Sequence, residues 1–271
     1  WRKRLELLSD EAERAELQFR IGTLLQEHLG SRHEAIAAFG ATLDALPGHV
    51  GAVRALEALL TDVDFSLEAA RVLQPVYERQ EAWSKLVAVL RLQAEMGDTP
   101  EERARLFLRA ADVQIEKLTD IEDAFRTLGK ALTEQPDDEA TQDRLFALAS
   151  DAGAFPELAE TIQGVLSHVA DPRHRRSLNL WLGRIYVQHA PNPTAAIGCY
   201  EEVLRVDEFN GEALGALDRL LTAEGRPGDL VRVLTKQLQQ ESGERAIALK
   251  FRIARLREQD LHKIVDAFTK L

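Results

Sequence analysis

Cysteine is almost missing from this chain of 271 residues: Cys199 stands alone, so no internal disulfide can form and stability must come from packing. Long apolar runs are missing too. Nothing approaches the ~20 residues that cross a bilayer, and the opening Trp1-Arg2-Lys3-Arg4-Leu5-Glu6 lacks the apolar stretch of a secretory signal. Membrane insertion is therefore not expected. The compartment stays open, with a soluble cytoplasmic setting favoured over export. Basic clusters are scarce: Arg173 to Arg176 is a short run within a chain of formal net charge −11. Such a surface repels nucleic-acid phosphates and anionic headgroups, so no nucleic-acid partner is expected. Trp1 is not an initiator methionine, and the chain reads as a piece of something longer.

Chemistry-bearing motifs are absent as well. There is no Gly-x-Gly-x2-Gly or Walker pattern, and no strand periodicity to present one. The histidines His28, His33, His49, His168, His174, His189 and His262 fall mostly near expected turns and helix ends, with no His-Glu-x2-His or Cys-His spacing. No metal, cofactor or catalytic residue is expected, and the chain is not read as an enzyme. Cys199 shares a helix with Ala196 and Tyr200, which suits a buried, inert thiol.

What the sequence does contain is a repeat. Leu17-Gln18-Phe19-Arg20-Ile21-Gly22 recurs as Leu106 to Ala111, Leu178 to Gly183 and Leu249 to Ala254, with a small residue five places after each leading leucine. Eighteen residues after that leucine come Ala35, Ala124, Ala196 and Ala267, and four further on Phe39, Leu128, Tyr200 and Leu271. The segment from Leu118 to Leu128 matches that from Leu261 to Leu271 at both leucines and the Asp-Ala-Phe core. Successive copies are 89, 72 and 71 residues apart, and the last two spacings are close to two hairpins of ~34 residues. The second hairpin repeats too: Leu145, Gly153, Leu158 and Ile162 return as Leu217, Gly225, Leu230 and Leu234.

This spacing parses the chain as one array over 1–271, with modules 10–98, 99–170, 171–242 and a last module 243–271 cut within its second helix. The longer first module gains an extra helix at about 65–80. Pro75 lies inside it and predicts a bend or break near residue 74. Apolar residues recur three and four apart, as in Leu17, Ile21, Leu24 and Leu25, which predicts helices throughout. Thr99-Pro100 and Asp171-Pro172 read as helix starts, while Pro47-Gly48, Pro136-Asp137, Gly153 and Gly225 read as stops. The small residues Gly22 and Gly183 let the two helices of a hairpin approach closely, and Phe39 and Tyr200 are expected to fill the gap toward the next hairpin.

The pattern resembles the tetratricopeptide repeat family, whose consensus is matched best by Leu182-Gly183, Tyr186, Ala196 and Tyr200, and again by Ala124, Leu128, Ala131 and Pro136. The resemblance covers nearly the whole chain apart from the extra helix. It implies an all-α solenoid of stacked antiparallel helical hairpins winding as a right-handed superhelix. Two departures stand out. Gly22 to Ala35 spans 13 residues where the family has 12, so the turn should be one residue longer, and Phe146 and Asp218 replace the small first-helix residue of the even hairpins.

The family's concave groove would comprise Phe19, Thr23, Gln26, Leu108, Asp112 and Ile115 in one half. Leu180, Arg184, Val187, Phe251, Arg255 and Glu258 would line it in the other. The lysine and asparagine clamp for C-terminal carboxylates is absent. The implied activity is a scaffold that binds another protein through a peptide or helix; the alternative is a regulatory or spacer segment of a larger multidomain enzyme or sensor. Oligomeric state is not legible.

Overall fold

The computed structural model describes the backbone of residues 10–269 and the side chains of residues 10–259; Trp1 and Leu271 lie outside that range. Among the described residues the chain is all α, with fourteen helices and no strand. They are α1 (Glu11–Glu27), α2 (Arg32–Ala45), α3 (Val50–Leu59), α4 (Ser66–Arg79), α5 (Trp83–Glu95), α6 (Pro100–Val113), α7 (Ile121–Glu134), α8 (Glu139–Ala152), α9 (Phe155–His168), α10 (Pro172–Gln188), α11 (Pro193–Val206), α12 (Gly211–Ala223), α13 (Pro227–Gln240) and α14 (Gly243–Thr269). Consecutive helices pack as hairpins in two compact units that divide between Gln135 and Pro136. No described helix is long and apolar enough to cross a membrane.

Capping chemistry explains where the helices start. Asp10 accepts from the Ala12 amide at 3.0 Å, Thr99 from Glu102 at 3.2 Å, and Asp171 from Arg173 and His174 at 2.7 and 3.2 Å. Each satisfies an amide that has no partner inside its helix.

Hairpin closure is equally regular. The amides of Ser31, Asp120 and Asn192 each reach back six residues, to the carbonyls of Leu25, Gln114 and Tyr186, at 3.0–3.1 Å. This six-residue bond closes the longer turn expected from the spacing. In the α6–α7 turn the chain first passes through one π turn, Gln114–Leu118, and then a left-handed Thr119 (φ 52°). The Asp123 carboxylate, on α7, gathers Arg91 from α5 and Gln114 from the π turn, tying three elements together.

The small residues work within their own hairpins. A Cβ built on Gly22 would lie 2.6 Å from Phe39 Cε1, and one on Gly183 would lie 2.8 Å from Tyr200 Cζ. The aromatics therefore cover the glycine of their own first helix, and Phe39 also belongs to the core that includes Ala52 and Leu56 of the next helix. Where the second helix carries Leu128 instead, the facing first helix carries Ala111, and both are fully buried.

The segment with the extra helix differs from expectation in one respect. α4 runs unbroken through Pro75. Leu73, Val76 and Tyr77 beside the proline are all buried in the core of the first unit, and that packing holds the helix together where Pro75 cannot donate. The sequence between α2 and α5 also contains the ordinary helix start and the ordinary helix end on separate helices. His49 caps α3 by accepting from Ala52, as Asp138 accepts from Thr141 and Asn210 from Ala213. The end of α4 instead matches: its left-handed Glu81 is followed at intervals of 72 residues by left-handed Gly153 and Gly225.

At the C-terminal end, where the module 243–271 was expected to enter a second helix, α14 instead continues from Gly243 to Thr269 as one helix. Between Glu244 and Thr269 there is no glycine or proline to stop it, so local propensity favours continuation.

Candidate partner-binding surface

The first helices of successive hairpins are cross-linked by polar side chains within each unit. In the first unit His49, the cap of α3, faces Glu16 on α1 at 3.4 Å, Tyr77 on α4 donates to Glu57 on α3 at 2.9 Å, and Arg109 on α6 pairs with Glu78 on α4. In the second, Arg184 on α10 holds Glu212 on α12 through two bonds of 2.6 Å, and Arg252 on α14 holds Asp218 on α12 at 2.6 and 2.7 Å. Asp218, which stands at a position usually held by a small residue, thus serves an inter-hairpin ion pair.

The cross-links shift the carboxyl groups. Glu212 is held below the ordinary glutamate range by the Arg184 guanidinium. Glu57 is held down mainly by the Lys85 ammonium, with help from the Tyr77 hydroxyl. The Tyr77 phenol moves the other way, pushed up by burial and by that carboxylate.

The twelve groove residues do not share one environment. Phe19 is half-buried, with its ring 5.8 Å from Phe39 and 4.6 Å from His49, and it lies against Gly51, where a Cβ would come within 2.7 Å of Phe19 Cζ. Leu108 packs on the core of the first unit. Thr23 donates to the Phe19 carbonyl of its own helix at 3.1 Å, while Gln26, Asp112, Ile115 and Leu180 are half-buried. Arg184, Val187, Phe251, Arg255 and Glu258 are exposed, Val187 by 43 % and Phe251 by 74 %.

Sequence reasoning passed over an aromatic cluster at the C-terminal end of α10. Phe146 on α8 is 36 % exposed and sits edge-on to Phe155 at 5.5 Å and His189 at 5.3 Å, while His189 stacks on Phe155 at 4.3 Å. His189 directly follows α10, so one end of that helix carries Val187, an imidazole and two phenyl rings. The only sequence signal was Phe146 standing where other copies hold a small or polar residue.

The basic run from Arg173 is spent on helix ends. Arg175 donates to the Leu166 and Val169 carbonyls at the end of α9, at 2.7 and 3.1 Å, His174 meets Asp137 at 2.8 Å, and Arg176 meets Asp207 at 3.6 Å. An open cleft of about 330 Å³ has Leu217, Leu221 and Val233 in its lining; the cations around it, Arg205, Arg232 and Lys236, pair with Glu202, Asp229 and Glu208. Cys199 is buried, and burial pushes its thiol up to about 11. Among the described residues no group of three or more His, Cys, Asp or Glu is placed to hold a metal ion.

No protein-family model matches the chain, and no curated protein does. Several solved structures are similar in part. A protein from Bacteroides ovatus is 16 % identical, over 78 % of this chain and 98 % of its own, with a TM-score of 0.36. The TPR domain of P58(IPK) is 13 % identical, over 91 % of this chain and 80 % of its own, at 0.31. A chain of the APC/C Cut9–Hcn1 complex is 15 % identical at 0.34, and this chain covers 90 % of itself but 46 % of that one. TM-scores below 0.5 leave the architecture resting on the chain's own helices and turns.

Proposed function

We propose that this chain is a protein-interaction scaffold, without catalysis of its own, that holds a peptide or helix of a partner protein against the first helices of its hairpins. In the second unit the reading rests on α10. Val187 is an exposed apolar anchor less than one turn from Arg184, whose guanidinium is fixed by two bonds to Glu212, and the Phe146, Phe155 and His189 rings extend the same end of the helix. An exposed apolar side chain near a pre-positioned arginine, with aromatic rings at the same end of the helix, has the composition of an interface centre. Phe251, Arg255 and Glu258 on α14 would extend the surface, and Thr23, Gln26, Asp112 and Ile115 would form its counterpart in the first unit. Phe19 and Leu108 would serve as the floor of the first-unit surface, and Leu180 as that of the second.

The test is capture of partner proteins from an extract of the source organism by the wild type and two variants. Val187→Asp places a charge on the anchor. The charge swap Arg184→Glu with Glu212→Arg preserves the ion pair while inverting what a partner meets. Loss of the same captured species with both variants, at unchanged helicity, is the expected result; retention with both overturns the α10 assignment.

A further inference from the structure

The start of α3 is capped by a group that a proton can disable. His49, Asp138 and Asn210 stand at the same place, before α3, α8 and α12, and each accepts from the amide three residues on. Aspartate and asparagine do so through an oxygen that keeps accepting in weak acid. His49 uses its Nδ1, 3.1 Å from the Ala52 amide. A ring nitrogen that accepts carries no proton, so the bonded ring is neutral with its proton on Nε2, the atom that faces Glu16 at 3.4 Å.

The ring is also a cover. Its side chain is only 13 % exposed, and it lies 4.6 Å from the Phe19 ring. Gly51 leaves room for both, since a Cβ there would come within 2.7 Å of Phe19 Cζ and 3.2 Å of His49 Cε1. The charged groups facing it are Glu16 and, through that carboxylate, Arg20, both on α1. Among the described residues α2 and α4 make no ion pair or hydrogen bond to the ring; Gln80, at the end of α4, donates to the Pro47 carbonyl at 2.9 Å.

We propose that His49 is an acid-released cap: a proton on Nδ1 frees the first turn of α3 and lifts the ring from Phe19. An imidazolium has two donors and no acceptor, so no rotation of the ring restores the bond. The amide of Ala52, which is fully buried, then has no partner inside its helix. The new charge also sits at the positive end of the helix dipole. Against these stands a stronger pairing of Nε2 with Glu16. That carboxylate is half-exposed, shared with Arg20 and 3.4 Å away, and such pairs contribute less than a cap does. The capped turn is therefore favoured in weak base and loosened as the pH falls through the range in which free imidazole titrates, centred near ~6.5. Any effect on partner binding rests on Phe19 being part of the floor of the first-unit surface; the switch itself does not.

The experiment is nuclear magnetic resonance of the full chain from about pH 8 to about pH 5, reading the ring nitrogens of His49, the contact between its ring and Phe19, and hydrogen exchange of single amides corrected for intrinsic rate. The expected result is a proton on Nε2 alone at the upper end and on both nitrogens at the lower. In step with it, protection of the Ala52 amide should fall about fivefold and the contact with Phe19 should be lost. Thr141 and Ala213, capped by Asp138 and Asn210, should keep their protection. His49→Asn supplies the cap that α12 uses and should abolish the fall at Ala52. Protection at Ala52 that ignores the titration of the ring, or falls equally in His49→Asn, overturns the proposal. So does a ring that carries its proton on Nδ1 at the upper end, or one that stays against Phe19 throughout.

Discussion

Replacing Gly183 with alanine would bring the new Cβ within 2.8 Å of Tyr200 Cζ, closer than relaxed contacts allow, and Tyr200 is too well buried to step aside. The expected loss is about 2 kcal/mol in urea unfolding, within the range for overpacked cores. Adding Tyr200→Leu recreates the Ala111 with Leu128 pairing found in α6 and α7. A double-mutant cycle should recover about 1–2 kcal/mol of coupling; strict additivity would refute the pairing. Glu81 carries a different strain. Its φ of 53° is the left-handed conformation that Gly153 and Gly225 adopt at equivalent places, and its side chain is exposed. Glu81→Gly should therefore stabilise the protein by up to about 1 kcal/mol, read as a raised unfolding midpoint.

Among the elements, α4 shows where the sequence was legible and where it was not. The excess length in the first copy is enough for one additional helix, expected at about 65–80, and α4 spans Ser66–Arg79. Its continuity was not legible, because a proline rule is local while Leu73, Val76 and Tyr77 are held by the core of the first unit. Pro75 is exposed, so Pro75→Ala should restore the missing backbone bond without disturbing packing. Stability should rise by about 1–3 kcal/mol in thermal unfolding. The separate second helix expected in the module 243–271 failed for the opposite reason: repeat register called for it, but between Glu244 and Thr269 no glycine or proline breaks the helix. The surroundings of the candidate surface residues were only half legible. Periodicity placed Phe19 and Arg184 on first helices, yet it could not tell that Phe19 would be covered by Gly51 and His49, or that Arg184 would be clamped by Glu212. The Phe146, Phe155 and His189 cluster joins three elements and has no signature in any one of them.

For the molecule as a whole, acid response follows from the cross-links between helices. Glu16, Glu57 and Glu212 all titrate below the ordinary glutamate value of 4.5. A carboxylate depressed in the folded state stabilises it above its unfolded value and loses that contribution as pH falls through the folded one. Stability should accordingly fall as the pH drops below about 4.5, and Glu57→Gln should flatten that limb when unfolding midpoints are compared across pH. An unchanged slope would remove Glu57 from the explanation. Contacts are mostly between neighbouring helices, so hydrogen exchange should open in segments, slowest where α2, α4 and α5 pack together and fastest in α14. One uniform exchange rate would contradict this. The glycine-to-aromatic pairing also bears on how such a chain can drift. A hairpin tolerates Gly with Phe or Tyr, or Ala with Leu, but crossing between these states passes through an overfilled or hollow intermediate. Two residues 17 apart are therefore expected to be inherited as a unit, and whole hairpins can be shuffled between positions more freely than either residue can change alone.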